Sequence, residues 1–151
     1  MADLQAALKA RDPQRLPKHS MMLAVTGIAI EDGQLLLVRD LQGFWSGVEG
    51  WIESRESPEE ALLREVREEL GVDAKITCIF RPVIIWNVNG TDNFLLFVYG
   101  MSLLSHDFTP QASEITGVTW AKPEDLGQLD MLPWIRAIFN QCLEEWLVGM
   151  S

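Results

Sequence analysis

Gly50-Trp51-Ile52-Glu53-Ser54-Arg55-Glu56-Ser57-Pro58-Glu59-Glu60-Ala61-Leu62-Leu63-Arg64-Glu65-Val66-Arg67-Glu68-Glu69-Leu70-Gly71-Val72 is the stretch around which the rest of this chain is organised. It reads as a loop followed by a helix. Ser57 suits a helix N-cap, Pro58 the first helical position, and Glu60 the far side of a capping box. Gly71 stands where a helix ends in a left-handed residue. A helix is therefore expected from about Pro58 to Leu70. Leu62, Leu63, Val66 and Leu70 would share one face at roughly 100° per residue.

Beside that apolar stripe lie Glu65, Glu68 and Glu69, at the i, i+3 and i+4 spacing of helix neighbours. Two of the three fall in the last turn, where the helix dipole disfavours negative charge. Repulsion and dipole together cost on the order of 1 kcal/mol. A polyvalent cation reverses that sign, and clustered carboxylates suit a hard, oxygen-binding ion such as Mg²⁺. The competing reading is a solvated acidic face, partly neutralised by Arg64 and Arg67. On helix spacing alone both readings stand.

The wider pattern separates them. Gly50, five residues, Glu56, seven residues, Arg64-Glu65-Val66, one residue, Glu68-Glu69, one residue, Gly71-Val72 meets nine fixed or restricted positions within 23 residues. This is the Nudix box, and the chain resembles a Nudix hydrolase, weakly over its whole length. The resemblance implies an α/β fold, the Nudix α/β/α sandwich with a mixed β-sheet. It implies Mg²⁺ or Mn²⁺ as cofactor, and a diphosphate substrate of the nucleoside diphosphate class. Glu65, Glu68 and Glu69 become the expected metal ligands, joined by Glu49 through its carbonyl or side chain. Gly50, Glu56, Arg64 and Gly71 become structural members of the motif, with Glu56 and Arg64 orienting loop and helix. The general base is expected either in the box helix or at Glu114, on a downstream loop.

Three positions around the box are expected to meet substrate. Arg39 ends a strand at a place that contacts phosphate in some family members. Arg55 replaces a common Gly and puts a positive charge near bound phosphates. Trp45, with Trp51, Trp86 and Phe94, is near the site by resemblance and could stack on a base. With six Trp in the chain, core or interface is the default for each. Many family members have Leu-Pro-Gly-Gly ahead of the box, where this chain has Gly47-Val48-Glu49-Gly50. Gly allows backbone angles that Glu tolerates poorly, so the geometry at Glu49 is an open question. A Tyr and a Pro shortly after the box mark dinucleoside polyphosphate and ADP-ribose subclasses. Tyr99, the one Tyr, lies well beyond that place, and Asn87 stands near the position of the Pro. Nucleoside triphosphates and nucleotide sugars therefore come first.

Composition narrows the alternatives. The 151 residues suit one domain with a substantial core, and 48% hydrophobic content excludes a disordered chain. No apolar run reaches the ~18 residues of a membrane span, and the N-terminus lacks a signal-peptide pattern. Cys78 and Cys142 form neither a disulfide framework nor a zinc motif, so a reducing cytoplasm is the expected location. The net charge of −10 opposes nucleic-acid backbone as a partner and leaves small phosphorylated nucleotides open. A nucleotide-sensing module of the same fold would be expected to lose box glutamates, and all are present. An isoprenoid diphosphate isomerase needs a catalytic Cys, for which Cys78 and Cys142 are poorly placed.

Residues 1–20 are read as an N-terminal helical extension and 21–151 as the Nudix domain. Leu4, Ala7 and Leu8 give Asp3 to Arg11 a helical pattern, broken at Pro13 and Pro17. Whether it packs on the domain or crosses to a second subunit of a homodimer stays open. Met21 to Ile30 and Gln34 to Arg39 read as strands around a Glu31-Asp32-Gly33 turn. Ala74 to Phe80, Val83 to Asn87, Phe94 to Leu104 and Ile115 to Ala121 read as further strands, with a hairpin at Asn89-Gly90. A short helix at Pro123 and an amphipathic helix from Leu132 to Val148 close the chain.

Overall fold

The structure is a computed structural model, and it describes residues 21–88 and 92–150. The N-terminal extension and the Asn89-Gly90 turn lie outside the described residues. Eight strands form one mixed sheet: β1 (Met22–Glu31), β2 (Gln34–Arg39), β3 (Trp45–Ser46), β4 (Val48–Trp51), β5 (Ala74–Ile79), β6 (Val83–Val88), β7 (Asp92–Leu103) and β8 (Gly117–Ala121). Helix α1 (Pro58–Leu70) follows β4. A 3-10 helix (Pro123–Gln128) and helix α2 (Pro133–Met150) end the chain.

β1 and β7 form the spine, paired in parallel from Met22 opposite Phe94 to Ala29 opposite Met101. The other strand pairs are antiparallel. β1 turns into β2 through Asp32 (φ 51°) and Gly33 (φ 74°), both left-handed, as a tight two-residue hairpin requires. β3 and β4 are strands where the sequence suggested only loop, so the box opens on a strand: Gly50 sits opposite Val25 of β1. The last strand begins at Gly117 rather than Ile115. Ile115 is instead buried beside α1.

Strand alternation splits the core into two layers. Val25, Ala29, Leu36 and Val38 face α1, whereas Ala24, Ile28, Leu35 and Leu37 face α2. The expected sandwich is what forms. Leu62, Val66 and Leu70 of α1 are fully buried. At about 2 kcal/mol each they outweigh several-fold the ~1 kcal/mol that the carboxylates cost the helix. The caps are also as expected. Ser57 Oγ accepts from the Glu60 N–H at 3.1 Å, and Gly71 is left-handed at φ 70° with its N–H on the Arg67 carbonyl. Among the described residues, no helix is long and apolar enough to cross a membrane.

Candidate active site

The face of α1 beside its apolar stripe packs against β4, and this contact defines the site. Gly50 is the point of closest approach. A Cβ there would lie 2.2 Å from both Cδ and Oε1 of Glu65, so only a glycine lets that carboxylate meet the strand. Glu65 is 9% exposed and Glu69 6%, which removes the solvated acidic face as a description of those two. Glu68 remains exposed.

Arg64 is the hub. Its Nε and Nη2 donate to Glu56 at 2.7 and 3.0 Å, and Nη2 also donates to the Trp51 carbonyl at 3.0 Å. That fork fixes the loop 52–57 to the helix. Its Nη1 reaches Glu65 Oε1 at 2.9 Å and Glu68 Oε2 at 3.1 Å. Glu56 is held below the usual carboxylate range chiefly by its hydrogen bond with Arg64. Arg67 takes no part, since its guanidinium pairs with Asp73 at 2.8 Å.

The remaining carboxyls are short of compensation. Burial, followed by the charges of Glu65, Glu49 and Glu114, pushes Glu69 up to about 9, against a weaker pull from the Glu49 backbone. Its Oε2 is buried with no hydrogen-bond partner. Desolvation, then Asp40, raises Glu49 to about 7. Glu65 is also raised, mainly by burial, with Arg64 opposing. Glu49 itself sits in ordinary strand geometry opposite Thr26, so the Gly-to-Glu replacement introduces no backbone strain. The left-handed position falls at Arg55, φ 68°, where the family commonly has Gly.

A cavity of about 360 Å³ opens over these groups, walled by Glu49 and Trp51 of β4, Arg64, Glu65 and Glu68 of α1, and Glu114. Glu114 arrives from far along the chain by a specific route. Backbone N–H groups of Thr109 and Gln111 donate to the Leu70 and Glu69 carbonyls at 2.9 and 3.0 Å, and Glu114 N–H bonds back to Gln111. The loop thus caps the helix end, and the approach of Thr109 requires Gly71: a Cβ there would meet Thr109 Oγ1 at 1.9 Å.

No three His, Cys, Asp or Glu side chains among the described residues converge into a ready metal cage. Arg64 draws Glu65 and Glu68 to itself instead. The donor chemistry nevertheless fits a hard divalent cation. An orphaned buried carboxylate oxygen and neighbours held toward protonation are what such an ion satisfies.

The other expected contacts are placed less centrally. Arg39 is exposed, its Nε 3.5 Å from the Gly43 carbonyl. Trp45 packs on the α2-side core. Arg55 is exposed on the loop before α1, and Trp86 is half exposed on β6. None of these four lines the acidic cavity. Trp51 and Phe94 do meet, at 5.2 Å between ring centroids, and Trp134 of α2 joins them through Phe94 at 6.1 Å. Trp134 carried no sequence signal, because its place beside Phe94 depends on how α2 packs.

A mixed sheet between two helical layers thus carries buried acidic groups where a strand meets a helix. The family model for the NUDIX domain matches residues 21–142, and the chain belongs to that family. It is an enzyme of the pyrophosphohydrolase class. It is 28% identical over 118 residues to CTP pyrophosphohydrolase of Escherichia coli (strain K12), covering 75% of this chain and 84% of that one. It is 29% identical over 141 residues to the NAD-capped RNA hydrolase NudC of Pseudomonas aeruginosa (strain LESB58), of which it spans 45%. Among solved structures, the crystal structure of a UDP-X diphosphatase superposes with TM-score 0.72 at 24% identity, covering 98% of this chain and 71% of that one. The solution structure of the E. coli ORF135 protein does so with TM-score 0.62 at 32% identity, covering 78% and 85%.

Proposed function

We propose that this enzyme hydrolyses a phosphoanhydride bond in a nucleoside diphosphate derivative, a nucleoside triphosphate or a nucleotide sugar, with Mg²⁺ or Mn²⁺ bound. The observation that carries the reading is Glu69: a buried carboxyl with an unpartnered oxygen, surrounded by Glu49, Glu65 and Glu114. Glu49, Glu65, Glu68 and Glu69 are the residues that would hold the ion. When bound, such an ion neutralises phosphoryl oxygens and lowers the pKa of water.

The chain's own residues supply the rest. Arg64 clamps loop to helix through Glu56 and the Trp51 carbonyl, which keeps Glu65 against Gly50. Glu114, at the exposed rim of the cavity, is the general base in this reading, close enough for its charge to act on Glu65 and Glu69. Arg55, on the loop before α1, and Arg39, at the end of β2, are exposed cations that would attract substrate phosphates. The CTP pyrophosphohydrolase relative favours nucleoside triphosphates, with CTP first.

Two specific observations weigh against the alternatives. A silent nucleotide sensor has no need of the five carboxyls, Glu49, Glu53, Glu65, Glu68 and Glu114, that line one cavity. An isomerase-like reaction needs a reactive thiol. Cys142 is buried in α2 with its thiol pushed up to about 12, and Cys78 lies exposed on β5. Neither lines the acidic cavity. Both cysteines are free, which suits the cytoplasm as location. A panel of nucleoside triphosphates and nucleotide sugars, read by phosphate or pyrophosphate release with and without Mg²⁺, tests the proposal. Metal-independent turnover, or none on any phosphoanhydride, would reject it.

A further inference from the structure

Helix α1 covers only part of its face of the sheet. Val25 of β1 and Tyr99 of β7 are buried in the α1-side core, and Glu59, in the first turn of α1, accepts from the Tyr99 hydroxyl at 3.1 Å. Beyond that point the same face continues uncovered. Leu23, two residues before Val25, lies opposite Leu95 of β7, and Leu95 lies opposite Ile84 of β6. Three apolar side chains therefore stand in one row across three strands. Leu23 is 45% exposed and Ile84 47%, whereas Val83 and Ile85, on either side of Ile84, pack on the α2-side core. Trp86, two residues further along β6, is 53% exposed, and Ile79 of β5, paired with Tyr99, is 73% exposed. Single exposed apolar residues are ordinary, but a contiguous set on neighbouring strands marks a contact surface.

The chain carries a segment that matches this surface. Residues 1–20, outside the described residues, join the domain just ahead of Leu23. Leu4, Ala7 and Leu8 recur there at helical spacing. The charge of the segment is opposite to that of the domain. Four Lys and Arg against two Asp give it +2, which leaves −12 on the remainder of a chain that totals −10. At the α1 border of the uncovered face stand the exposed acids Glu59 and Glu60, and Lys9 and Arg11 follow closely on Leu8. Reach is no obstacle: the 15 residues from Leu8 to Leu23 span up to ~50 Å, against ~10 Å from β1 across β7 to β6. Such a tether gives an effective concentration on the order of millimolar, which favours the chain's own segment over a second copy at micromolar protein.

We propose that the N-terminal segment occupies this face, with Leu4 and Leu8 against Leu23, Ile84 and Trp86, and with Lys9 and Arg11 toward Glu59 and Glu60. It covers, within one chain, the part of the sheet that α1 leaves open. The proposal does not depend on the reaction that the enzyme catalyses.

Limited trypsin cleavage of the full chain, read by mass spectrometry, tests it without any measurement of turnover. Ile84→Asp and Leu8→Asp should each speed cleavage after Lys9 and Arg15 about tenfold, because proteolysis tracks the population of the open form. Leu8→Asp leaves the sheet untouched, so its effect is not a folding defect. The double variant should be cut no faster than either single one, since both remove the same contact. Sedimentation at micromolar protein should show a monomer. Equal cleavage rates in the wild type and both variants, or acceleration that multiplies in the double variant, would overturn the proposal. A dimer that Ile84→Asp dissociates would also overturn it, by giving the face to a second copy.

Discussion

Replacing Glu69 with Gln tests the site through stability rather than rate. In the folded chain the Glu69 carboxyl is raised from 4.5 to about 9, so between those values the folded state holds a proton that the unfolded state has released. Stability must then fall as pH rises across that window, by up to ~1.4 kcal/mol per pH unit for one whole proton. From about pH 6 to about pH 8 this amounts to about 3 kcal/mol at most, or roughly 5–10 °C in melting temperature for a chain of this size. The Gln variant carries no such proton, so its melting temperature should vary less over the same range, the remaining dependence coming from Glu49, whose carboxyl is raised to about 7. Its absolute gain at about pH 8 should be smaller, because an amide NH₂ in place of the orphaned oxygen is a buried donor costing about 1–3 kcal/mol. Mg²⁺ binds the deprotonated carboxyl, so it should stabilise the wild type more at about pH 8 than at about pH 6, and Glu69→Gln little at either. Thermal melts at both pH values, with and without millimolar Mg²⁺, decide the matter. Equal pH slopes in the two proteins and no Mg²⁺ shift in the wild type would refute the reasoning.

Other perturbations separate the roles of neighbouring groups. Glu65→Gln should lower kcat by orders of magnitude in steady-state assays, while the metal-free protein melts no lower than the wild type. Glu114→Gln should reduce kcat with little change in KM; an unaltered rate would return the base to the box helix or Glu49. Gly50→Ala should abolish activity while leaving the chain folded, since its Cβ would displace the Glu65 carboxylate rather than core atoms; circular dichroism alongside the rate assay distinguishes the two. The net charge of −10 gives capped RNA no counterion release, so free nucleotides should turn over faster than capped RNA, and the reverse order would overturn the charge argument.

What the chain's own letters determined is local. The bounds of α1 were legible because Ser57, Pro58 and Gly71 act on their immediate neighbours. The β1–β2 turn was legible because Asp32 and Gly33 tolerate left-handed backbone. The α/β/α sandwich followed from the family pattern. The four-residue β4 left no such mark, because so short a strand exists by pairing with β1. Spacing placed Glu65 and Glu69 on one helix face but left their solvation open. Their burial, and so their raised pKa values, comes from β4 packing over the helix at a side-chain-free Gly50. Glu114 is legible in sequence only as a downstream acid; the bonds of Thr109 and Gln111 to the helix-end carbonyls carry it to the cavity. Trp134 could not have been read at all. Its meeting with Phe94 and Trp51 depends on the parallel pairing of β1 with β7 and on the seating of α2, contacts between residues far apart in the chain that no local pattern encodes.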